Sequence, residues 1–230
     1  MTHLVLVAGA WLGGRAWDGV VPGLREAGLE PRPLTLSGLA EKKGTPAGLR
    51  THVEDVVGLV EGEDLRDVVL VGHSYSGVPV GMAAERIGDR LRRVVFVDAN
   101  VPADGASFLD AFPSAHVRRA IAEHGGAWPP PPPGDFAGQG LSEQQIDRIV
   151  TEGTPHPGAS LTEPAELRRP LGELPATYVK CLLDGPDPAP AVAALTSGGS
   201  WELVRMDTGH WPMFSQPDAL ARILAEAAAL

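Results

Sequence analysis

The stretch Val68-Val69-Leu70-Val71-Gly72-His73-Ser74-Tyr75-Ser76-Gly77 constrains this chain more than any other. Four branched apolar residues run into a glycine, as a buried strand does. Small residues follow, then helix-like spacing from Val78 to Ile87, with Pro79 in the first turn where its missing N–H does little harm. A serine on a strained turn between strand and helix is lifted clear of a sheet edge, provided the residues two before and two after it are small. Gly72 and Ser76 meet that condition around Ser74, although glycine is the usual residue at the second place.

The rest of the chain supports a sheet for such a turn to leave. Strands are expected at 3–8, 30–36, 67–71, 93–97, 176–183 and 201–206, the second interrupted by Pro31 and Pro33. Helices are expected at 17–27, 49–62, 78–87, 188–195 and 215–229. Alternating strands and helices imply an α/β fold, a mostly parallel sheet flanked by helices on both faces. The stretch 101–170 breaks this rhythm. Its Trp128 is followed by five prolines and Gly134, which cannot be helix or interior sheet, with possible helices at 114–124 and 142–151 on either side. The proline run reads as a stiff connector, and the whole stretch as an insertion over the carboxyl edge of the sheet. The core is then 1–100 and 171–230, within the size of a single domain carrying one insertion.

Composition excludes several functions. A net charge of -10 argues against nucleic acid and anionic membrane surfaces as partners. One cysteine, Cys181, leaves no intrachain disulfide and no multi-cysteine zinc site. The Gly9–Gly14 loop lacks the Gly-Lys-Ser/Thr ending of a phosphate loop and the spacing of a dinucleotide fingerprint. No histidine pair has metal-ligand spacing, and the serine chemistry considered below requires neither metal nor organic cofactor. Met1-Thr2-His3 has no basic leader, and no apolar run approaches a membrane span. A cytoplasmic location and a small-molecule substrate are expected, and the sequence does not define the oligomeric state.

A serine hydroxyl is a poor nucleophile until a base takes its proton. For this motif the base lies late in the chain, and His210 follows the last expected strand, in Asp207-Thr208-Gly209-His210. An acid must then fix the imidazole. Asp184, after the 176–183 strand, is the first candidate. Asp98, ending the 93–97 strand, is the alternative on the same edge. Two backbone N–H groups are needed for a developing oxyanion: Tyr75, after the serine, and Ala10, in the Gly-rich loop after the first strand. Trp11, Tyr75, Trp128 and Trp211 are candidate pocket walls.

Val-Ala-Gly-Ala-Trp at 7–11, Gly-His-Ser-Tyr-Ser-Gly at 72–77, Val-Asp-Ala-Asn-Val-Pro at 97–102 and Asp-Thr-Gly-His at 207–210 resemble the α/β-hydrolase superfamily. The likeness is to its small cofactor-free branch of plant methyl esterases, hydroxynitrile lyases and bacterial esterase-like relatives. It covers nearly the whole chain and implies a helical cap at 101–170, with the pocket between cap and sheet. One departure is Ala8-Gly9, where the family's loop usually begins His-Gly and the histidine helps hold it. The acid-bearing turn around Leu182-Leu183-Asp184-Gly185-Pro186 is another. The resemblance implies a serine hydrolase of a small ester, lactone or related carbonyl compound. Its alternatives are lyase or rearrangement chemistry at the same site, and a non-catalytic binding protein on the same scaffold.

Overall fold

A computed structural model describes all 230 residues. Strands β1 (His3–Val7), β2 (Glu30–Leu34), β3 (Val68–His73) and β4 (Leu91–Val97) form one parallel sheet with β7 (Ala176–Cys181) and β8 (Trp201–Met206), in the order β2-β1-β3-β4-β7-β8. The order follows from burial. Every residue of β3 and β7 is buried, as befits strands covered on both faces. β2 carries Pro31 and Pro33, which cannot donate to a ladder, and it lies at an edge.

Alternate residues divide the core in two. Val5, Val7, Leu70, Val94 and Phe96 pack with helices α2 (Leu49–Gly62) and α3 (Gly77–Ile87). Leu4, Leu6, Val69, Val71, Val95 and Val97 pack on the other face with α1 (Val21–Glu26) and α10 (Pro217–Ala229). The helix expected at 17–27 is shorter: a 3₁₀ turn at Gly14–Trp17 precedes α1, which begins just before Pro22. The helix expected from 215 is divided into α9 (Pro212–Ser215) and α10, because Pro217 forces Gln216 out of helical geometry, at φ -143° and ψ 57°. α8 (Pro190–Ser197) lies between β7 and β8.

The 101–170 stretch runs between β4 and β7. It contains α4 (Phe108–Ala111), α5 (Ala115–Glu123), α6 (Glu143–Glu152) and α7 (Ala159–Thr162), with an antiparallel ribbon of β5 (Ala127–Trp128) and β6 (His156–Pro157). The chain leaves β1 for β2 on one side and returns to β3 on the other. Parallel sheets open a crevice at the carboxyl ends of strands where the order reverses in this way. The register Val7↔Gly72 puts the loop after β1 directly beside Ser74.

Candidate active site

Ser74 sits at the sharpest point of the turn, with φ 53°, a left-handed conformation that a serine adopts only where its surroundings enforce it. Space enforces it here. A Cβ on Gly72 would strike Val80 and the Ser76 carbonyl, and one on Gly77 would strike the Asn100 carbonyl. Ser76 fits where glycine is usual. It is fully buried, and its hydroxyl donates to the Ala8 carbonyl, tying the turn to the loop after β1.

The structure brings Ser74, His210 and Asp98 into one chain. The Ser74 Oγ lies 2.9 Å from His210 Nε2, and Asp98 Oδ2 lies 2.7 Å from His210 Nδ1. Asp184, expected first, has its nearer oxygen 3.8 Å from the same Nδ1, outside hydrogen-bond range. The reason is local. Asp98 directly follows β4, and its φ of 41° turns the carboxylate toward His210; its side chain is 8% exposed. Asp184 ends a short 3₁₀ turn beyond β7, is 35% exposed, and has Oδ1 engaged by Gln139 Nε2 at 2.7 Å. Asp98 Oδ1 accepts from Lys180 Nζ at 3.1 Å and from the Cys181 N–H at 3.2 Å. Burial pushes the Asp98 carboxyl up, but the His210 hydrogen bond, the His210 and Lys180 charges and the Cys181 N–H outweigh it, and the group ends below the ordinary range. The oxygens and imidazole nitrogen of Asp98, Asp184 and His210 lie within 4.8 Å of one another. The Lys180 ammonium already engages the Asp98 carboxylate of this group, at 3.1 Å.

The loop carrying Ala10 is held despite the missing family histidine. His73 is fully buried, accepts the Gly9 N–H at Nδ1 (3.2 Å) and donates from Nε2 to the His210 carbonyl (2.7 Å). One imidazole thus fixes both the loop after β1 and the loop bearing His210. Burial, and then the charge of His210, hold His73 down at about 3, so it stays neutral and keeps both bonds. A Cβ on Gly9 would meet the His73 ring and Ser74 at 2.8 Å, which is why glycine stands there. On the other side of Ala10, the Trp11 N–H donates to His156 Nδ1 at 3.4 Å. Ala10 is left, between them, with an N–H that no protein group accepts.

A cavity of about 210 Å³ opens on Ser74 and His210. Trp11, Trp128 and Trp211 line it, with Phe108, Phe112 and Asn100. Trp11 joins loop and ribbon: its indole N–H donates to the Trp128 carbonyl at 3.1 Å, and the two rings lie 4.2 Å apart. Tyr75 also borders the cavity, while its hydroxyl is buried against His52 Nδ1 at 2.8 Å and His52 Nε2 donates to the Ser37 carbonyl at 2.9 Å. His52 and His156, which show no useful spacing in sequence, pack 5.8 Å apart beneath the cavity. Sequence reasoning missed Lys180, Gln139, His156 and the bridging role of His73. Only Lys180 carried a signal, as a charge within an otherwise uncharged, buried strand.

Residues 4–223 match the profile of the alpha/beta hydrolase family, and the chain belongs to it. It is 32% identical to a carbendazim hydrolyzing esterase of Nocardioides sp. (strain SG-4G), over 98% of this chain and 99% of that protein. Solved structures share the fold. An extracellular alpha/beta-hydrolase from a Paenibacillus species superposes with a TM-score of 0.87 at 22% identity, covering 99% of each chain. A methylesterase from Arabidopsis superposes with a TM-score of 0.75 at 19% identity, covering 100% of this chain and 99% of that one. The expected family and fold are therefore correct, and the protein is an α/β-fold hydrolase. No helix is long and apolar enough to cross a membrane.

Proposed function

We propose that the protein is a serine esterase of small, uncharged carbonyl substrates, with Ser74 as nucleophile, His210 as base and Asp98 as the acid that orients it. The observation carrying this reading is the continuous contact from Ser74 Oγ through both His210 nitrogens to Asp98 Oδ2, at 2.9 and 2.7 Å. Ser74 Oγ attacks the substrate carbonyl while His210 Nε2 takes its proton. The oxyanion is received by the unoccupied N–H of Ala10 and by that of Tyr75. His210 returns the proton to the departing alcohol, and a water activated by the same imidazole then hydrolyses the acyl-serine. Asp184 acts as an outer carboxylate beside the pair.

The lining supports the substrate class. Six aromatic side chains and one neutral amide, Asn100, surround Ser74 and His210, so a flat or apolar acyl or alcohol part is favoured over a charged one. The volume, about 210 Å³, suits a compact ester, lactone or carbamate rather than a lipid chain. The relative named for hydrolysing carbendazim is in keeping with that class.

The test is active-site labelling. A fluorophosphonate probe is expected to modify Ser74, and Ser74→Ala to lose both labelling and hydrolysis of para-nitrophenyl acetate. Retention of hydrolysis by Ser74→Ala would rule out the acyl-serine route. Turnover of a carbonyl substrate without any labelling would favour lyase-type chemistry at the same residues.

A further inference from the structure

Lys180 is an unusual residue for its place. It stands in β7, between Val179 and Cys181, in a strand with every residue buried, and is itself 6% exposed. A buried ammonium costs several kcal/mol unless it is paired and hydrogen-bonded. Here it is both. Nζ donates to Asp98 Oδ1 at 3.1 Å and to the Cys181 carbonyl at 2.6 Å. The register of β4 on β7, Val97↔Val179, makes Asp98 and Lys180 the next pair along. The cation therefore engages one carboxylate oxygen while His210 engages the other.

That placement bears on the base. A bare buried carboxylate at 2.7 Å from Nδ1 pulls strongly toward imidazolium, and an imidazolium cannot take the proton of Ser74. An ammonium on the far oxygen offsets the pull. The other groups facing this pair do not supply such a charge. His73, with its ring 4.8 Å from that of His210, is kept neutral by burial. The Cys181 thiol and Tyr178 hydroxyl near Asp98 are pushed up by burial and also stay neutral. Asp184, from the turn after β7, adds a second negative group, and Gln139 from the 101–170 stretch is uncharged. Lys180 is the cation in this set.

We propose that Lys180 is a positioning residue for the hydrolytic reaction: its ammonium fixes the Asp98 carboxylate and, by offsetting its charge, sets the acid limb of the pH–activity profile. The inference rests on the reading of Ser74, His210 and Asp98 given above. Without the ammonium, activity at mildly acid pH is lost first.

The experiment is the pH dependence of kcat/KM for para-nitrophenyl acetate, from about pH 5 to 9, in Lys180→Met, Lys180→Gln and Lys180→Arg. The acid limb is expected to move up by about one pH unit in the Met and Gln variants and to return toward the parent in the Arg variant. A limb that stays in place in folded Met or Gln variants, whatever the change in kcat, reduces Lys180 to a structural role and overturns the proposal. If neither uncharged variant folds, NMR of isotope-labelled lysine in the parent protein decides. The Lys180 Nζ chemical shift should change across the acid limb, and a shift that does not change there overturns the proposal equally. Ser74→Ala, run alongside, separates the two readings: activity in that variant removes the assignment of the site itself, whereas an inactive Ser74→Ala with an unmoved limb removes only the role of Lys180.

Discussion

Replacing Asp98 with asparagine exchanges a carboxylate oxygen for an amide nitrogen and leaves the packing alone, and the surroundings dictate how the amide must lie. Two donors, Lys180 Nζ and the Cys181 N–H, converge on Oδ1. In Asp98→Asn the amide oxygen therefore stays there, and the NH₂ faces His210 Nδ1. Nδ1 must then accept rather than donate, which moves the imidazole proton to Nε2, the nitrogen 2.9 Å from Ser74 Oγ. In that tautomer His210 cannot take the serine proton. The same change in a serine-protease triad costs about 10⁴ in kcat. Here Asp184 remains 3.8 Å from Nδ1 and keeps one negative charge near a developing imidazolium. We expect a loss of about 10³ in kcat/KM, near 4 kcal/mol of transition-state stabilisation, carried by kcat with KM little changed.

The assay is para-nitrophenyl acetate hydrolysis by Asp98→Asn and Asp184→Asn side by side, with circular dichroism to confirm that both are folded. Asp184→Asn is expected to keep activity to within about tenfold, because it touches His210 through no hydrogen bond. An Asp98→Asn enzyme of nearly parental activity, with Asp184→Asn crippled, would refute the tautomer argument and return the acid to the turn after β7.

Two further outcomes follow from the buried polar contacts. Ser76→Ala removes the hydroxyl that donates to the buried Ala8 carbonyl, so urea unfolding should show a loss of about 1–2 kcal/mol at unchanged m-value, together with a lower kcat as the Ala10 loop loosens. His52, His73 and His156 are all lowered by burial, His73 to about 3, while an unfolded histidine takes its proton near pH 6.5. The unfolded chain then binds more protons than the folded one, so stability falls as pH drops below about 6.5, and for His73 by about 1.4 kcal/mol per unit, the loss continuing down to about 3. Urea midpoints measured from neutral to mildly acid pH should decline accordingly, and a flat profile would mean that these rings are not held neutral.

The fold was largely legible because its strands carry their own evidence. Val68 to Val71 and Arg93 to Val97 are too apolar and too short for exposed helices, and each ends at a residue that breaks the run. Pro31 and Pro33 made the second strand uncertain in sequence. In the structure they fall on an edge, where one side of the strand needs no donors. The ribbon of Ala127–Trp128 with His156–Pro157 was illegible for a different reason: two-residue strands have no period to read, and their partners are separated by a proline run and α6. The tie from Trp11 to His156 and Trp128 was lost with it, since it depends on that pairing.

The site divides in the same way. The contact of Ser74 with His210 was legible because each is the chemically apt residue at the end of its own strand. Which carboxylate meets His210 was not, because Asp98 and Asp184 end neighbouring strands on the same edge, and spacing along the chain treats them alike. What separates them is a contact across strands. A lysine inside a fully buried strand requires an anion within reach. With β4 and β7 adjacent and parallel, the residue in register with Lys180 is Asp98, whereas Asp184 lies farther along the same strand and turn. The buried cation therefore singles out the carboxylate that contacts His210 Nδ1, and it does so through the β4–β7 pairing rather than through any motif around either aspartate.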